Sequence, residues 1–236
     1  MENGKTVIGN PVAYNEEKYG GTYRLTERFF PWKGRAAFCT TGQFENLEGG
    51  LVRHCGPTAV TNLVLTLQNA GKLDGGRQKA GDKNHNYIQD TLAREKQEDA
   101  VFQRIVSLGK RRKLYWNTNV LGRFGGTFDL LAGNYIRSSI KEFSPGTSLK
   151  IGLNLLPSAG KAMSALKKGS ILYLMLRGNP TYGNHHVICY GYAIVEGDAS
   201  DQSVFLLVAD GWANRTRYIP ADQLGHSAWF EVRVRS

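Results

Sequence analysis

The chain has 236 residues, of which 41% are hydrophobic and 21% charged, an ordinary globular composition that excludes wholesale disorder. This length suits one large domain with a sizeable core, and no apolar run is long enough to span a membrane. The formal net charge of +10 favours anionic partners such as acidic peptides, anionic polymers or, nonspecifically, nucleic acid.

The first 45 residues mix glycine, aromatic and charged side chains with short β-type runs at residues 6–8 and 21–25. We expect them to form an N-terminal arm or edge strands of the same domain as residues 46–236. The N-terminus has no basic region followed by an apolar region, so this sequence shows no signal peptide. The sequence does not assign a cellular compartment, because a secreted or cell-surface protein can have had its signal peptide trimmed away.

A glycine-rich loop at residues 48–50 leads into a predicted helix that begins at Cys55. Pro57 suits the first helical turn, and apolar residues recur with helical spacing up to Leu67. A thiol at this helix start would lie among unpaired N–H groups at the positive end of the helix dipole, which favours the thiolate. The same N–H groups can hold an oxyanion. The alternative is an inert buried cysteine.

The middle of the chain is predicted to form polar loops and helices. Residues 69–84 are predicted as a loop, and residues 87–108 as one or two helices interrupted by the polar run 94–99 and ending near the basic cluster 110–113. That cluster, followed by Tyr115 and Trp116, suits a solvated helix end better than single-stranded nucleic acid, and no nucleic-acid-binding motif accompanies it.

A second glycine-rich loop, at residues 122–127, precedes a helix predicted over residues 128–140, which Thr127 or Asp129 is expected to cap. From there strands dominate. Strands are predicted at residues 148–154, 171–176, 186–195, 204–209, 216–219 and 228–234, with a helix at 159–168 and a loop at 177–184. Helices in the first half and an antiparallel sheet in the second predict an α+β fold.

Two histidines and an acid fall at strand ends. His185 and His186 lie where a loop enters a buried strand, and Asp210 ends the next apolar strand. A carboxylate there is expected to accept the second N–H of one histidine, fixing its tautomer. A helix-borne thiol with a sheet-borne base requires this order of Cys, His and Asp. The alternatives are a buried strand histidine and a turn aspartate.

The remaining cysteines and histidines need no functional role. Cys39 and Cys189 are expected to be buried small hydrophobes, and His54, His85 and His226 solvent-facing loop residues. No CxxC or HExxH occurs, so we expect neither a metal nor a cofactor.

Three motifs resemble the papain-like cysteine peptidase superfamily, nearest in pattern to its bacterial C39-like branch. Residues 55–59, CGPTA, resemble the branch's nucleophile helix start, and residues 185–192, HHVICYGY, resemble its histidine strand. The spacing to Gly191 selects His185 as the catalytic histidine. Asp210-Gly211-Trp212 is similar to the element in which a polar residue orients that histidine and a tryptophan shields the contact.

The resemblance implies a nucleophile helix packed against the antiparallel sheet, with Asn184 and Trp212 lining the cleft. One position departs from the family. A glutamine that usually supplies an oxyanion donor about six residues before the cysteine is replaced by Gly49, so Gln43 and Asn46 become the candidates. Losing such a donor costs on the order of a hundred- to a thousand-fold in rate.

The implied function is a hydrolase of peptide, amide or thioester bonds, with Cys55 as nucleophile, His185 as base and Asp210 as orienting residue. The implied partner is a peptide or protein substrate, with an acidic one favoured by charge; the oligomeric state is open. Two alternatives stand beside it: the same triad used for acyl transfer, deamidation or transglutamination, and a catalytically weak module that binds peptides or anionic polymers.

Overall fold

The computed structural model describes residues 7–47, 53–75, 87–120, 124–198 and 201–235. Its helices are α1 (Pro11–Tyr19), α2 (Thr41–Phe44), α3 (Cys55–Asn69), α4 (Tyr87–Arg111), α5 (Asp129–Phe143) and α6 (Ala159–Lys167). Its strands are β1 (Tyr23–Phe29), β2 (Tyr115–Val120), β3 (Phe124–Thr127), β4 (Leu149–Asn154), β5 (Ile171–Asn179), β6 (Gly183–Gly197), β7 (Gln202–Ala209), β8 (Arg217–Pro220) and β9 (Ala228–Val234). The loop predicted at residues 48–50, most of the one at 69–84, and His85 lie outside these ranges.

An antiparallel sheet with the order β4-β9-β5-β6-β7-β8 forms the frame of the molecule. The long strand β6 pairs with β5 along its first half and with β1 along its second half. Helices and an antiparallel sheet confirm the predicted α+β class. No helix among the described residues is long and apolar enough to cross a membrane.

The sheet is covered on both faces, as the continuous apolar run in β5 predicts. Tyr173 and Met175 belong to the larger core with α3, α4 and α5, while Leu172 and Leu174 pack with α6 on the opposite face. Alternation of side chains along a strand sends neighbours to opposite faces, so a strand buried on both sides reads as uniformly apolar.

Helix α3 runs through the core, and its buried polar side chains bind a neighbouring segment. Asn62 bonds to both backbone groups of Cys39, at 2.6 Å from the nitrogen and 3.0 Å from the oxygen. Thr66 accepts from the backbone nitrogen of Ala37 at 2.9 Å. These bonds hold residues 37–39 against the helix and direct the chain into α2, beside the start of α3.

The predicted interruption at residues 94–99 is wrong, because α4 is one continuous helix. That polar run is its solvent-facing part, where Arg94 pairs with Glu98 one turn later, and the apolar positions that bury the helix follow from Val101 onward. The N-terminal segment likewise contains a helix that we did not predict, α1, whose first turn is capped by the Asn10 side chain.

Two segments predicted as loops are partly strand. Within residues 122–127, the described part is β3, which pairs with β2. Within residues 177–184, β5 continues to Asn179 and β6 begins at Gly183. The Asn179 side chain closes the tight turn between them by accepting from the nitrogens of Thr181 and Tyr182, both at 3.0 Å. His185 therefore lies inside a strand rather than in a loop.

Candidate active site

Cys55 is the first residue of α3 and is half-buried. Burial opposes ionisation, but a hydrogen bond to the His185 side chain and the charge of that ring favour it. The backbone N–H groups of His186 and Gly56 add further bonds to the sulfur. Together these interactions lower the pKa of the thiol below its ordinary value.

His185, on β6, is held by the backbone of Asp210. Its Nε2 lies 2.6 Å from the Asp210 carbonyl oxygen, and because a carbonyl only accepts, Nε2 carries the hydrogen. Nδ1 is then the nitrogen that serves the thiol. Burial lowers the pKa of His185, but the Cys55 hydrogen bond and charge, with the Asp210 carbonyl, outweigh it and raise the pKa above its ordinary value.

The carboxylate of Asp210 does not make the expected bond to the histidine. Its Oδ1 accepts from the nitrogens of Trp212 at 2.9 Å and Ala213 at 3.1 Å, and its Oδ2 accepts from the Tyr182 hydroxyl at 3.2 Å. The carboxylate thus fixes the turn after β7, and that turn presents the carbonyl to His185. Asp210 therefore contacts His185 through its backbone carbonyl and not, as we had expected, through its carboxylate.

Two aromatic rings enclose the imidazole. The Trp212 ring lies 5.0 Å from the His185 ring, centre to centre, and the Tyr182 ring lies nearly parallel to it at 5.8 Å. Trp212 is 39% exposed, so it covers the histidine from the solvent side, as a shield would. Tyr182 is not among the predicted site residues, because it lies in the segment 177–184 that was predicted as a loop. Asn184 is exposed, and its side chain caps the β5–β6 turn by accepting from the nitrogen of Gly178.

His186, the alternative base, faces the other side of the sheet. Its Nδ1 lies 2.8 Å from the Tyr173 hydroxyl, and its Nε2 lies 3.5 Å from Asp129. Burial lowers its pKa to about 4, against a smaller opposing effect of Asp129, so the ring is neutral near pH 7. Asp129 does not cap α5 as predicted, nor does Thr127, because the N-cap residue is Phe128. The Asp129 carboxylate pairs with Arg177 instead.

His54 is buried, although we expected it to face solvent, and it is part of a hydrogen-bond chain that connects the start of α3 with the turn after β7. It is only 6% exposed, and its Nε2–H donates to the Thr41 carbonyl at 2.8 Å. Thr41 in turn donates its backbone N–H (2.7 Å) and its hydroxyl (3.1 Å) to the Gly211 carbonyl. The residue before the thiol is therefore linked through α2 to the turn that holds His185.

Neither predicted side-chain oxyanion donor bonds to the cysteine. Gln43 donates its amide to Glu98 on α4 at 2.9 Å, and Asn46 is exposed. Gly49, the position of the family's glutamine, is outside the described residues. The Cys55 backbone N–H belongs to the first helical turn, whose N–H groups have no intrahelical acceptor, and is a candidate oxyanion donor.

A polar cleft of about 1030 Å³ extends from Trp212 towards α4. Its walls include Thr40, Gln43, Glu95, Glu98 and Arg215. Among the described residues, no group of three histidine, cysteine or carboxylate side chains is placed to hold a metal ion.

No protein-family model matches this chain, and no curated protein matches it either.

Proposed function

We propose that this chain is a papain-like cysteine hydrolase that cleaves peptide or other amide or thioester bonds. The observation that carries the proposal is the contact between the Cys55 thiol and the His185 imidazole, whose other nitrogen is fixed on the Asp210 carbonyl. A lowered thiol pKa and a raised imidazole pKa favour the thiolate–imidazolium pair, the nucleophilic form.

In the proposed reaction the Cys55 thiolate attacks the substrate carbonyl and forms a tetrahedral oxyanion beside the Cys55 backbone N–H. As the bond to the leaving group breaks, His185 gives its Nδ1 proton to the departing amine or thiol, which leaves an acyl-enzyme. Neutral His185 then takes a proton from water, which attacks the acyl carbon. The acid product departs, and the thiolate–imidazolium pair is restored.

The surroundings support this cycle in two ways. The Asp210 carbonyl keeps the Nε2 hydrogen in place, so that Nδ1 exchanges the catalytic proton at every step. The Trp212 ring covers the imidazole and limits its hydration. The polar cleft that begins at Trp212, whose lining includes neither Cys55 nor His185, suits an extended polar substrate, and the net charge favours an acidic one.

The engagement of Gln43 with Glu98 favours a second candidate, a catalytically weak module that binds peptides or anionic polymers. With a backbone N–H as the oxyanion donor, and with neither Gln43 nor Asn46 bonded at the thiol as a side-chain oxyanion donor, turnover is slower by on the order of a hundred- to a thousand-fold than with both donors.

The test is an electrophilic peptide probe, a peptidyl vinyl sulfone, followed by mass-spectrometric mapping of the modified residue. We expect labelling of Cys55 at neutral pH, its loss in Cys55→Ala, and slow labelling in His185→Gln. Cys39 and Cys189 are internal controls, because both are buried and burial raises the pKa of each, that of Cys189 to about 12. If Cys55 reacts no faster than the buried thiols, the proposal is wrong.

Turnover is followed separately with a library of short peptides and a thioester, with and without an added amine. Hydrolysed product defines a hydrolase, and amine adducts define the acyl transferase alternative. Labelling of Cys55 with no turnover of any substrate identifies the binding module.

A further inference from the structure

A second cleft, of about 660 Å³, lies at the far end of α3 from Cys55. Leu67 lines this cleft and is twelve residues after the thiol on α3, which is about 18 Å along the axis at 1.5 Å per residue. Its volume is within the range of about 300–1,000 Å³ typical of small-molecule sites. The cleft is therefore separate from the candidate active site.

The charges that line this cleft are all positive. Four basic side chains, here called the cationic rim, come from the segment after α3, the turn after α6, and the C-terminal end of β9 with the residue that follows it: Lys72, Lys168, Arg233 and Arg235. No acidic residue lines the cleft. Within the described ranges, no member of the rim forms an ion pair.

The two acids nearest to the rim in sequence are bound to other groups. Glu231 accepts from the Ser170 hydroxyl at 2.7 Å, and Asp74 accepts from the Ser144 hydroxyl at 2.8 Å. Four cations gathered around a concave surface repel one another and concentrate positive potential there. A bound anion relieves that repulsion.

The rest of the wall is apolar except for one buried donor. Trp32, Leu67 and Val232 are all less than 9% exposed. The indole Nε1–H of Trp32 is buried and has no acceptor among the described residues.

We propose that this cleft binds a small organic anion, with a phosphate group on the cationic rim and an apolar body against the Trp32 wall. Basic side chains bind phosphate oxygens through charge-assisted hydrogen bonds, and the apolar wall supplies contact area that inorganic phosphate cannot use. The same chemistry is found in an anionic lipid headgroup. The concave shape and limited volume favour the free small molecule.

The test uses 1-naphthyl phosphate as the probe, with inorganic phosphate and uncharged 1-naphthol for comparison, in isothermal titration calorimetry. We expect the wild-type protein to bind the probe more tightly than either comparison compound. The double variant Lys168→Gln/Arg233→Gln loses two charge-assisted bonds and should bind at least about tenfold more weakly. Lys141→Gln, which removes an exposed charge on α5, should bind as the wild type does.

The NMR resonance of the Trp32 indole N–H, assigned with the Trp32→Phe variant, supplies a second readout. Its chemical shift should change as the probe is added. The proposal is overturned if the probe does not bind measurably or if the double variant binds it as tightly as the wild type does. It is also overturned if the wild type binds 1-naphthol as tightly as the probe. Binding to phosphatidic acid vesicles without binding of the free probe overturns it in favour of a lipid headgroup. Cys55→Ala should bind the probe normally, so this result is independent of the proposed catalysis.

Discussion

Acidification should destabilise this protein through His186. Burial holds the pKa of this ring at about 4 in the folded protein, compared with an ordinary value of 6.5. As the pH falls below about 6.5, the unfolded chain binds a proton that the folded protein does not, so the free energy of unfolding falls until about pH 4. At about 1.4 kcal/mol per pH unit, the loss from this one residue reaches about 3 kcal/mol.

Urea unfolding of the wild type and of His186→Asn at a series of pH values isolates this contribution. Asparagine keeps a polar partner for the Tyr173 hydroxyl, which lies 2.8 Å from Nδ1, but cannot take up the proton. The wild type should lose about 3 kcal/mol more than the variant between neutral pH and pH 4. His226→Asn, which alters an exposed histidine, should follow the wild type. Equal losses in the wild type and His186→Asn would refute the buried neutral histidine.

Three further substitutions test the geometry around the thiol. Gly56→Ala places a Cβ 2.2 Å from the Thr127 hydroxyl oxygen, so it should lower the free energy of unfolding by about 1–3 kcal/mol and slow alkylation of Cys55. Tyr182→Phe removes the hydroxyl that bonds to the buried Asp210 carboxylate and should cost about 1.5–3 kcal/mol, measured by urea unfolding. Asp210→Asn keeps the carbonyl that holds His185, so labelling by the vinyl sulfone should slow far less than the roughly 10⁴-fold loss seen when a carboxylate itself orients the histidine.

Matched variants give these tests their controls. Gly146→Ala meets no atom within 4 Å and should leave both stability and alkylation unchanged. An Asp210→Asn variant that loses labelling as completely as His185→Gln would show that the carboxylate, and not the carbonyl, sets the tautomer. Unfolding of Gly56→Ala at wild-type urea concentrations would contradict the close approach of β3 to α3.

The central pairing of the candidate site could be predicted because its signals are local. The proline and the apolar spacing that follow Cys55 define the helix start, while the selection of His185 over His186 comes from the resemblance to the family's histidine strand. The uniform apolar run of β5 likewise reveals a strand covered on both faces. The helix start and the buried strand each depend on the period of one element and need no knowledge of its partners.

The predictions that the structure contradicts concern interactions between segments that are distant in sequence. Whether Asp210 presents its carboxylate or its carbonyl depends on a turn closed by Tyr182, which is 28 residues away in sequence. The burial of His54 depends on how α2 and α4 pack around it, where its ring meets Phe102 edge-on. Gln43 is drawn to α4 by Glu98, a partner that sequence spacing does not reveal.

The most direct measurement is the rate of Cys55 alkylation by iodoacetamide as a function of pH, in the wild type and in His185→Gln. The wild-type rate should rise with a midpoint below that of an ordinary cysteine, about 8.5. Removing the imidazole should move that midpoint up, because both the hydrogen bond and the positive charge on the thiolate are lost. If wild-type Cys55 titrates as it does in the urea-unfolded chain, and His185→Gln changes nothing, the thiolate–imidazolium pair does not exist.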